Sequence, residues 1–398
     1  MATFLLRPRS ELLQAAAADP TAYFSRSELD RAAAFRGHQR LIGLGGLAVS
    51  VATLTLIAVG PGRGVRALMQ RAERRPIFGG AAVGAGISLA ITISGLPLSI
   101  WGHERAVDAG LSTQALGAWL LDVARSASIG AVFAAVGGGV AVALVRRFPR
   151  RWFVPAAGAV ASFAVLLVYL QPVVIDPLFN RFEPVPQGAL RGDVLEFADR
   201  SGVEVGEVYR IDASRRTTGI NAYVGGLGHT KRVVIYDNLI DDFPESQVRS
   251  VIAHELGHFK HRDLPRGLLW VLVVALPGTL LVQRVAEVID RSGQLCGGRT
   301  PGPAAVPAIA LSVAIVGFAL SCAANPMSRA VEARADQYAL ELTGDPRAFV
   351  ALDRSLATRN LSDPDPPRIY QAIFGTHPTA VERIGMGRAW ARGERPGE

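Results

Sequence analysis

The chain has 398 residues, 49% of them hydrophobic and only 19% charged. That charged share lies below the roughly 25% usual in soluble domains, and the mean hydropathy is positive at +0.27, which excludes a string of ordinary soluble domains. The net charge of +8 rests almost wholly on arginine, since Lys231 and Lys260 are the only lysines. The arginines gather in short stretches between apolar blocks, as at 63–75 and 146–151. Basic loops of this kind flank membrane spans, so no nucleic-acid partner is expected.

Taken from the N-terminus, the first 40 residues are polar and mixed in charge, with no cleavable signal peptide. About 20 apolar residues cross a bilayer as a helix, and six blocks qualify: 41–59, 77–101, 127–145, 152–171, 268–285 and 306–324. The third holds Gly137, Gly138 and Gly139, which suit close helix approach in lipid, and the fifth carries Pro277, expected to kink it. A polar insert at 172–266 separates spans four and five. It opens with the turn residues Pro177, Asn180, Pro184 and Pro186, then predicts a helix over 189–200 ending at Gly202. Strands follow at 208–211, 220–224 and 232–236, the last two around a Gly-Gly-Leu-Gly turn. Asp241, Asp242, Pro244 and Glu245 then mark a helix start. After the sixth span the helical pattern continues over 328–342 and stops at Gly344.

The expected fold class is mostly α: a polytopic helical membrane protein of about six spans with a small α/β insert carrying a zinc-binding helix. Its regions are a polar N-terminus at 1–40, a four-span part at 41–171 and the catalytic insert at 172–266. A two-span part at 267–324, a C-terminal catalytic region at 325–387 and a disordered tail at 388–398 follow. Six spans put the N-terminus, the insert and the C-terminal region on one face. Arginines border the spans on both sides, so the positive-inside rule decides no orientation. The arginine bias, with abundant Ala, Gly and Pro, suggests a high-GC bacterial source, and the cytoplasmic side of a bacterial cell membrane is the expected place of the site. Cys296 and Cys322 form no C-x-x-C pair and indicate neither a disulfide framework nor a cysteine metal site.

The chemistry is concentrated in His254-Glu255-Leu256-Gly257-His258. Two histidines four apart on a helix stand about 40° from one another around its axis, so both imidazoles can reach one zinc ion. Glu255, beside the open coordination position, can take a proton from water and later pass it to a leaving amine. A catalytic zinc takes three protein ligands. His261 lies about 10.5 Å of helix rise from His254, out of reach of a shared ion unless the helix breaks, and no glycine occurs between His258 and Gly267. Glu332 is the better candidate, with Asp336 one turn further on and able to hydrogen-bond a ligand histidine; a solvated acidic face paired with Arg329 or Arg334 is the alternative.

These residues resemble the integral-membrane type 1 CAAX prenyl proteases, membrane-bound gluzincin metallopeptidases. Besides the histidine motif, Asn325, Ser328, Arg329, Glu332, Ala335 and Asp336 stand at the spacing of that family's third-ligand motif. Asp176-Pro-Leu-Phe-Asn180, Gly110-Leu-Ser-Thr-Gln114, Asp212-Ala-Ser-Arg-Arg216, Val233-Val-Ile-Tyr-Asp237 and the late His377-Pro378 and Glu382-Arg383 are similar too. The resemblance implies one Zn2+ per chain held by His254, His258 and Glu332, with Glu255 as general base. It also implies that His377 stabilises an oxyanion with Arg383 supporting that region, and that Asn221, Ala222 and Tyr223 form an edge strand for the substrate backbone. The implied partners are the lipid bilayer and a peptide or protein substrate, lipidated in CAAX-type C-terminal processing. A broader membrane-protein quality-control or peptide-trimming protease is the alternative within the class; a transporter or receptor with a structural zinc is the alternative outside it. Seven-span members of that family have one more N-terminal helix, and residues 1–20 are too polar to supply it, so an enclosed chamber is expected to be smaller or open on one side.

Overall fold

The computed structural model describes residue 8 and residues 12–225, 231–295 and 301–395. Arg26–Val59 forms α1, whose start is closed by a capping box between Ser25 and Glu28. A short amphipathic helix, α2 (Arg63–Ala72), precedes α3 (Pro76–Asp108), α4 (Leu116–Arg147) and α5 (Phe153–Leu170). Among the described residues six helices are long and apolar enough to cross a membrane, including α9 (Asp263–Ile289) and α10 (Val306–Thr343) of the second half. Their outward faces carry large exposed apolar side chains, among them Leu41, Ile93, Val132, Leu166, Leu272 and Phe318, as contact with acyl chains requires. The structure is that of a multi-pass membrane protein.

Of the three consecutive glycines in α4, one makes the close approach. A Cβ built on Gly138 would stand 2.3 Å from the Gly80 carbonyl oxygen of α3, and one on Gly84 would stand 2.1 Å from that of Ala134, whereas Gly137 faces open space. Here α3 and α4 meet backbone to backbone, the packing that small residues permit in lipid.

The insert supplies α6 (Ala189–Ser201), which ends at Gly202 in the left-handed conformation, and a four-stranded sheet. The strands are β1 (Phe182–Pro184), β2 (Glu207–Ile211), β3 (Ala222–Gly225) and β4 (Arg232–Tyr236), in the order β1-β2-β4-β3. Strands β2 and β4 are parallel; the two outer pairs are antiparallel, with Tyr223 opposite Val234. β1 escapes sequence analysis because three residues ending in a proline lie in a stretch that reads as turns. The Gly-Gly-Leu-Gly turn falls, beyond Gly225, outside the described residues, as does Cys296. After β4 come α7 (Asp237–Asp242) and α8 (Glu245–Lys260), and the chain closes with α11 (Pro346–Arg359), α12 (Arg368–Phe374) and α13 (Ala380–Ala391). Residues 388–391, expected in a disordered tail, are therefore helical: Ala389 is fully buried and anchors the last turn.

One hydrophobic core joins insert and C-terminal region. Val194 and Phe197 of α6, Val233 and Ile235 of β4, and Ile252 and Leu256 of α8 pack with Leu340 of α10, Phe349 of α11 and Met386 of α13. Each fully buried Leu, Ile or Phe contributes about 1.5–3 kcal/mol of transfer free energy. Residues preceding the first span join this layer: the Ala16 N–H donates to the Gly385 carbonyl at 3.1 Å and that of Leu13 to Gln337 at 3.2 Å. The N-terminus, insert and C-terminal region thus meet on one face, as six crossings require.

The glycine contact carries a test. Gly138→Leu is expected to lower the unfolding temperature in detergent, at a cost of about 1–3 kcal/mol from overpacking. Gly137→Leu leaves it near wild type; equal losses would contradict the α3–α4 contact.

Candidate metal centre

The centre is set by the crossing of α8 and α10. Gly257 of the histidine motif makes it close: a Cβ there would lie 3.2 Å from the Tyr338 ring and 3.3 Å from the Ala335 Cα. Val248, Ile252, Ala253 and Leu256 bury one side of α8, leaving His254, Glu255 and His258 to face the cavity between α8, α10 and β3. The His254 and His258 Nε2 atoms are 3.2 Å apart. Glu332 completes a triangle, its Oε2 3.4 Å from the His254 Nε2 and its Oε1 3.8 Å from the His258 Nε2. One ligand atom from each of the three lies within 4.8 Å of the others.

This arrangement fits a tetrahedral metal ion. Ligands at about 2.0–2.1 Å from such an ion stand about 3.3 Å from one another. The His254 Nδ1 lies 2.8 Å from Asp336 Oδ1, and the His258 Nδ1 lies 3.0 Å from Asp263 Oδ2. A carboxylate only accepts, so each Nδ1 carries a proton and each Nε2 faces the other and Glu332. Two ring nitrogens and a carboxylate converge on one point, a donor set that a metal ion fits and that a proton on His254 satisfies without one. Electrostatics agree. Burial by itself lowers the pKa of His254, but the hydrogen bond and charge of Asp336 outweigh it and push the imidazole up to about 10. The pocket favours positive charge.

Each histidine is backed by an acid and an arginine. Arg383 of α13 holds Asp336 with two hydrogen bonds, Nε to Oδ2 at 2.8 Å and Nη2 to Oδ1 at 2.5 Å, and its Nη1 pairs with buried Asp353 at 2.9 Å. Arg383, expected to support the region of His377, lines the same cavity and stands one layer behind His254, where the charge of buried Asp336 and Asp353 holds it. Burial pushes the Asp353 carboxyl up to about 7 against the pull of Arg383. Behind His258, the buried Arg334 pairs with Asp263, the first residue of the membrane helix α9. Asp263, Arg334 and Asp353 are absent from the sequence-derived site: Asp263 belongs to the next helix, Arg334 offered only an alternative surface pairing, and no spacing marks Asp353. The five-residue step from His258 to Asp263 was the one available signal.

The remaining expected residues line the same cavity, of about 710 Å³. Burial pushes the Glu255 carboxyl above its ordinary value, opposed by His254 and His258 and by the nearby Val224 backbone. His377 reaches to 3.5 Å from Glu332 with its Nε2 while its side chain stays 65% exposed, and its Nδ1 lies 2.9 Å from the Thr376 hydroxyl. Asn221, Ala222 and Tyr223 line the cavity where β3 forms the sheet edge, and the Tyr223 hydroxyl donates to Asp176 at 3.2 Å. His261 does not join. The helix ends there without a glycine, through Arg262 in the left-handed region at φ 55°, and the His261 ring packs on Tyr338 at 5.7 Å.

The histidine supports give a direct prediction. Asp263→Asn and Asp336→Asn should each weaken metal affinity about 10–100-fold in competition with a chelator. Asp365→Asn, on an exposed turn, leaves affinity unchanged. Wild-type affinity in Asp263→Asn would remove it from the support of His258.

Comparison with known proteins agrees with this architecture. Residues 184–391 match peptidase family M48, and residues 21–181 match the CAAX prenyl protease N-terminal region, described as five membrane helices. Four of the six candidate spans fall within that second match. The uncharacterized metalloprotease YhfN of Bacillus subtilis is 33% identical over 301 residues, 75% of this chain and 70% of the relative. A CAAX prenyl protease 1 homolog of Oryza sativa is 32% identical over 233 residues, 57% of this chain, which spans about half (53%) of the rice protein. The crystal structure of S. mikatae Ste24p shares the fold, with a TM-score of 0.66 at 24% identity over 76% of this chain and 74% of that one. The match covers the segments that bring the two histidines and Glu332 together, and the chain belongs to peptidase family M48, as a multi-pass membrane metallopeptidase.

Proposed function

We propose that the chain is a zinc endopeptidase that hydrolyses peptide bonds at the membrane surface, with zinc held by His254, His258 and Glu332. The observation that carries this reading is the triangle of two Nε2 atoms and a carboxylate beside Glu255, in a cavity lined by the edge strand β3. Bound zinc would supply a Lewis acid that polarises the scissile carbonyl and acidifies water. The residues of the chain do the rest. Glu255, adjacent to the first ligand, takes a proton from the attacking water and hands it to the leaving amine; its raised pKa suits both steps. His377, exposed at the cavity and within 3.5 Å of Glu332, donates a hydrogen bond to the developing oxyanion. Asp336, gripped by Arg383, keeps the His254 Nε2 aimed inward. Asn221, Ala222 and Tyr223 offer an edge on which the substrate backbone adds a strand.

The CAAX prenyl protease relatives and the matching N-terminal region support C-terminal processing of peptides, lipidated ones among them, with acyl or prenyl chains taken from the surrounding bilayer. The Bacillus relative and the arginine-rich composition support a bacterial cell membrane.

Glu255→Gln should retain a stoichiometric metal ion yet lose at least about 100-fold in peptide hydrolysis, the low end of a general base's contribution. Undiminished turnover in that variant would refute the mechanism. Glu332→Ala is expected to lose most of its metal by elemental analysis, while His261→Ala keeps it. A chelator abolishes wild-type hydrolysis, and added Zn2+ restores it.

A further inference from the structure

The face opposite the catalytic layer has no part in hydrolysis, yet its loops form one joined structure. They lie at 60–75, 146–152 and 284–305 and carry twelve arginines against three acids. Glu73 accepts a hydrogen bond from the Gln294 side-chain amide at 2.9 Å, and the oxygen of that amide accepts the Gly302 N–H at 2.9 Å. Arg146 donates to the Pro301 carbonyl at 2.8 Å, and the Gln283 side chain donates to that of Arg150 at 3.1 Å. Where α2 passes into α3 the three loops close up. A Cβ on Gly79 would stand 2.3 Å from the Ala72 carbonyl oxygen and 2.7 Å from the Pro303 Cγ.

These contacts use the acids and leave the cations over. Glu73 is taken by Gln294, and Asp290 accepts from the Ser292 and Leu295 N–H groups at 2.9 and 2.8 Å. Glu287 pairs with Arg284 at 3.1 Å, the one ion pair that an arginine of this face makes among the described residues. The five arginines at 63–75 and the four at 146–151 are all exposed. Beside them lies apolar surface. Val65, Leu68, Met69 and Ala72 form a stripe along α2 at helical spacing, but only Met69 is turned fully into the protein. Leu68 is 64% exposed, and Phe78 at the head of α3 is 75% exposed. Arg63, Arg66 and Arg71 stand on the other side of α2 from that stripe. With Val59 of one span behind it and Pro76 of the next ahead, this helix of about 15 Å stays at the bilayer boundary.

We propose that this face binds the headgroups of anionic phospholipids in the leaflet opposite the catalytic layer. α2 lies in the interface with Val65 and Leu68 among acyl chains, and its arginines, with those at 146–151, meet the lipid phosphates. Both halves of the surface are needed to choose this occupant. A second copy of the chain would present the same unpaired cations and be repelled. A nucleic acid would match the charge but offer nothing apolar to Leu68 and Phe78. The proposal stands apart from the peptidase reading, since none of these residues lines the metal cavity.

The test titrates the purified full-length protein in detergent with dioleoyl phosphatidylglycerol or dioleoyl phosphatidylcholine, which share acyl chains and differ in headgroup charge. Binding is read from the unfolding temperature and from the lipid retained in native mass spectrometry. Phosphatidylglycerol should act at a mole fraction at least about fivefold lower than phosphatidylcholine, the worth of one arginine at an anionic surface. Added salt should shrink that preference. Arg66→Gln combined with Arg71→Gln should weaken phosphatidylglycerol binding about 25-fold. Leu68→Gln should weaken both lipids. Arg26→Gln combined with Arg347→Gln, a pair of exposed arginines on the catalytic side, should keep the wild-type value. Equal binding of the two lipids, or a preference that survives loss of Arg66 and Arg71, overturns the proposal. An equal loss in the catalytic-side pair would reduce it to an effect of net charge and overturns it too. Displacement of the lipid by inorganic phosphate or a single-stranded oligonucleotide, at matched ionic strength, would assign the face to a soluble polyanion instead. Should the Arg66 and Arg71 variant fail to fold, the wild-type preference, its salt dependence and Leu68→Gln still decide.

Discussion

Two imidazole nitrogens 3.2 Å apart, beside the Glu332 carboxylate, converge on a point that a shared proton or a metal ion satisfies. Much of the catalytic half follows from holding them there. The acids behind the histidines, Asp336 and Asp263, fix the tautomers. The arginines behind the acids, Arg383 and Arg334, compensate carboxylates that would otherwise be buried as bare charges. Each layer answers a cost created by the one before it.

The membrane part takes a direct hand in this construction. α10 is one helix of 38 residues, about 57 Å long, and its last 19 residues or so project about 28 Å beyond the apolar span, carrying Glu332 and Asp336 to the histidines. α9 contributes Asp263 at the point where it enters the membrane, and α1 contributes Arg36 to the cavity. Three membrane helices therefore end in the site. The insert is tied in as well: Arg216 donates to Asp122 of α4 at 2.9 Å, and the Thr113 N–H, in the loop before α4, donates to the Arg216 carbonyl at 3.1 Å. The catalytic layer is bolted to the spans by hydrogen bonds at several places, which suits an enzyme whose substrates approach along a bilayer.

Local pattern was sufficient for much of this. Six apolar blocks could only be buried in lipid, because so many segments of that length exceed what a soluble core of this size uses. The two-histidine spacing on a helix, the Gly202 and Gly344 stops and the strands at 208–211 and 232–236 each follow from chemistry within a dozen residues, and the structure has them. The glutamate at 332 was legible because its neighbours stand at a recurring spacing, even though a whole span separates it from His258. The helix break that would lift the exclusion of His261 does occur, without a glycine: α8 stops there, with Arg262 taking the left-handed turn that a glycine usually takes. His261 stays out of the site for a different reason, its packing on Tyr338.

Sequence by itself determined the membrane class and the histidine helix, since periodicity and spacing are properties of the chain, while Glu332 was preferred to a solvated acidic face through the family resemblance. Only the tertiary structure decided what stands behind them and what faces them. Arg383 is tied to Asp336 and Asp353, and Asp353 and Asp263 entered without any motif. The physical reason is the same in each case. Where a buried charge finds its partner depends on which helices cross, and the crossing of α8 with α10 at Gly257 is a contact between surfaces more than 70 residues apart in the chain.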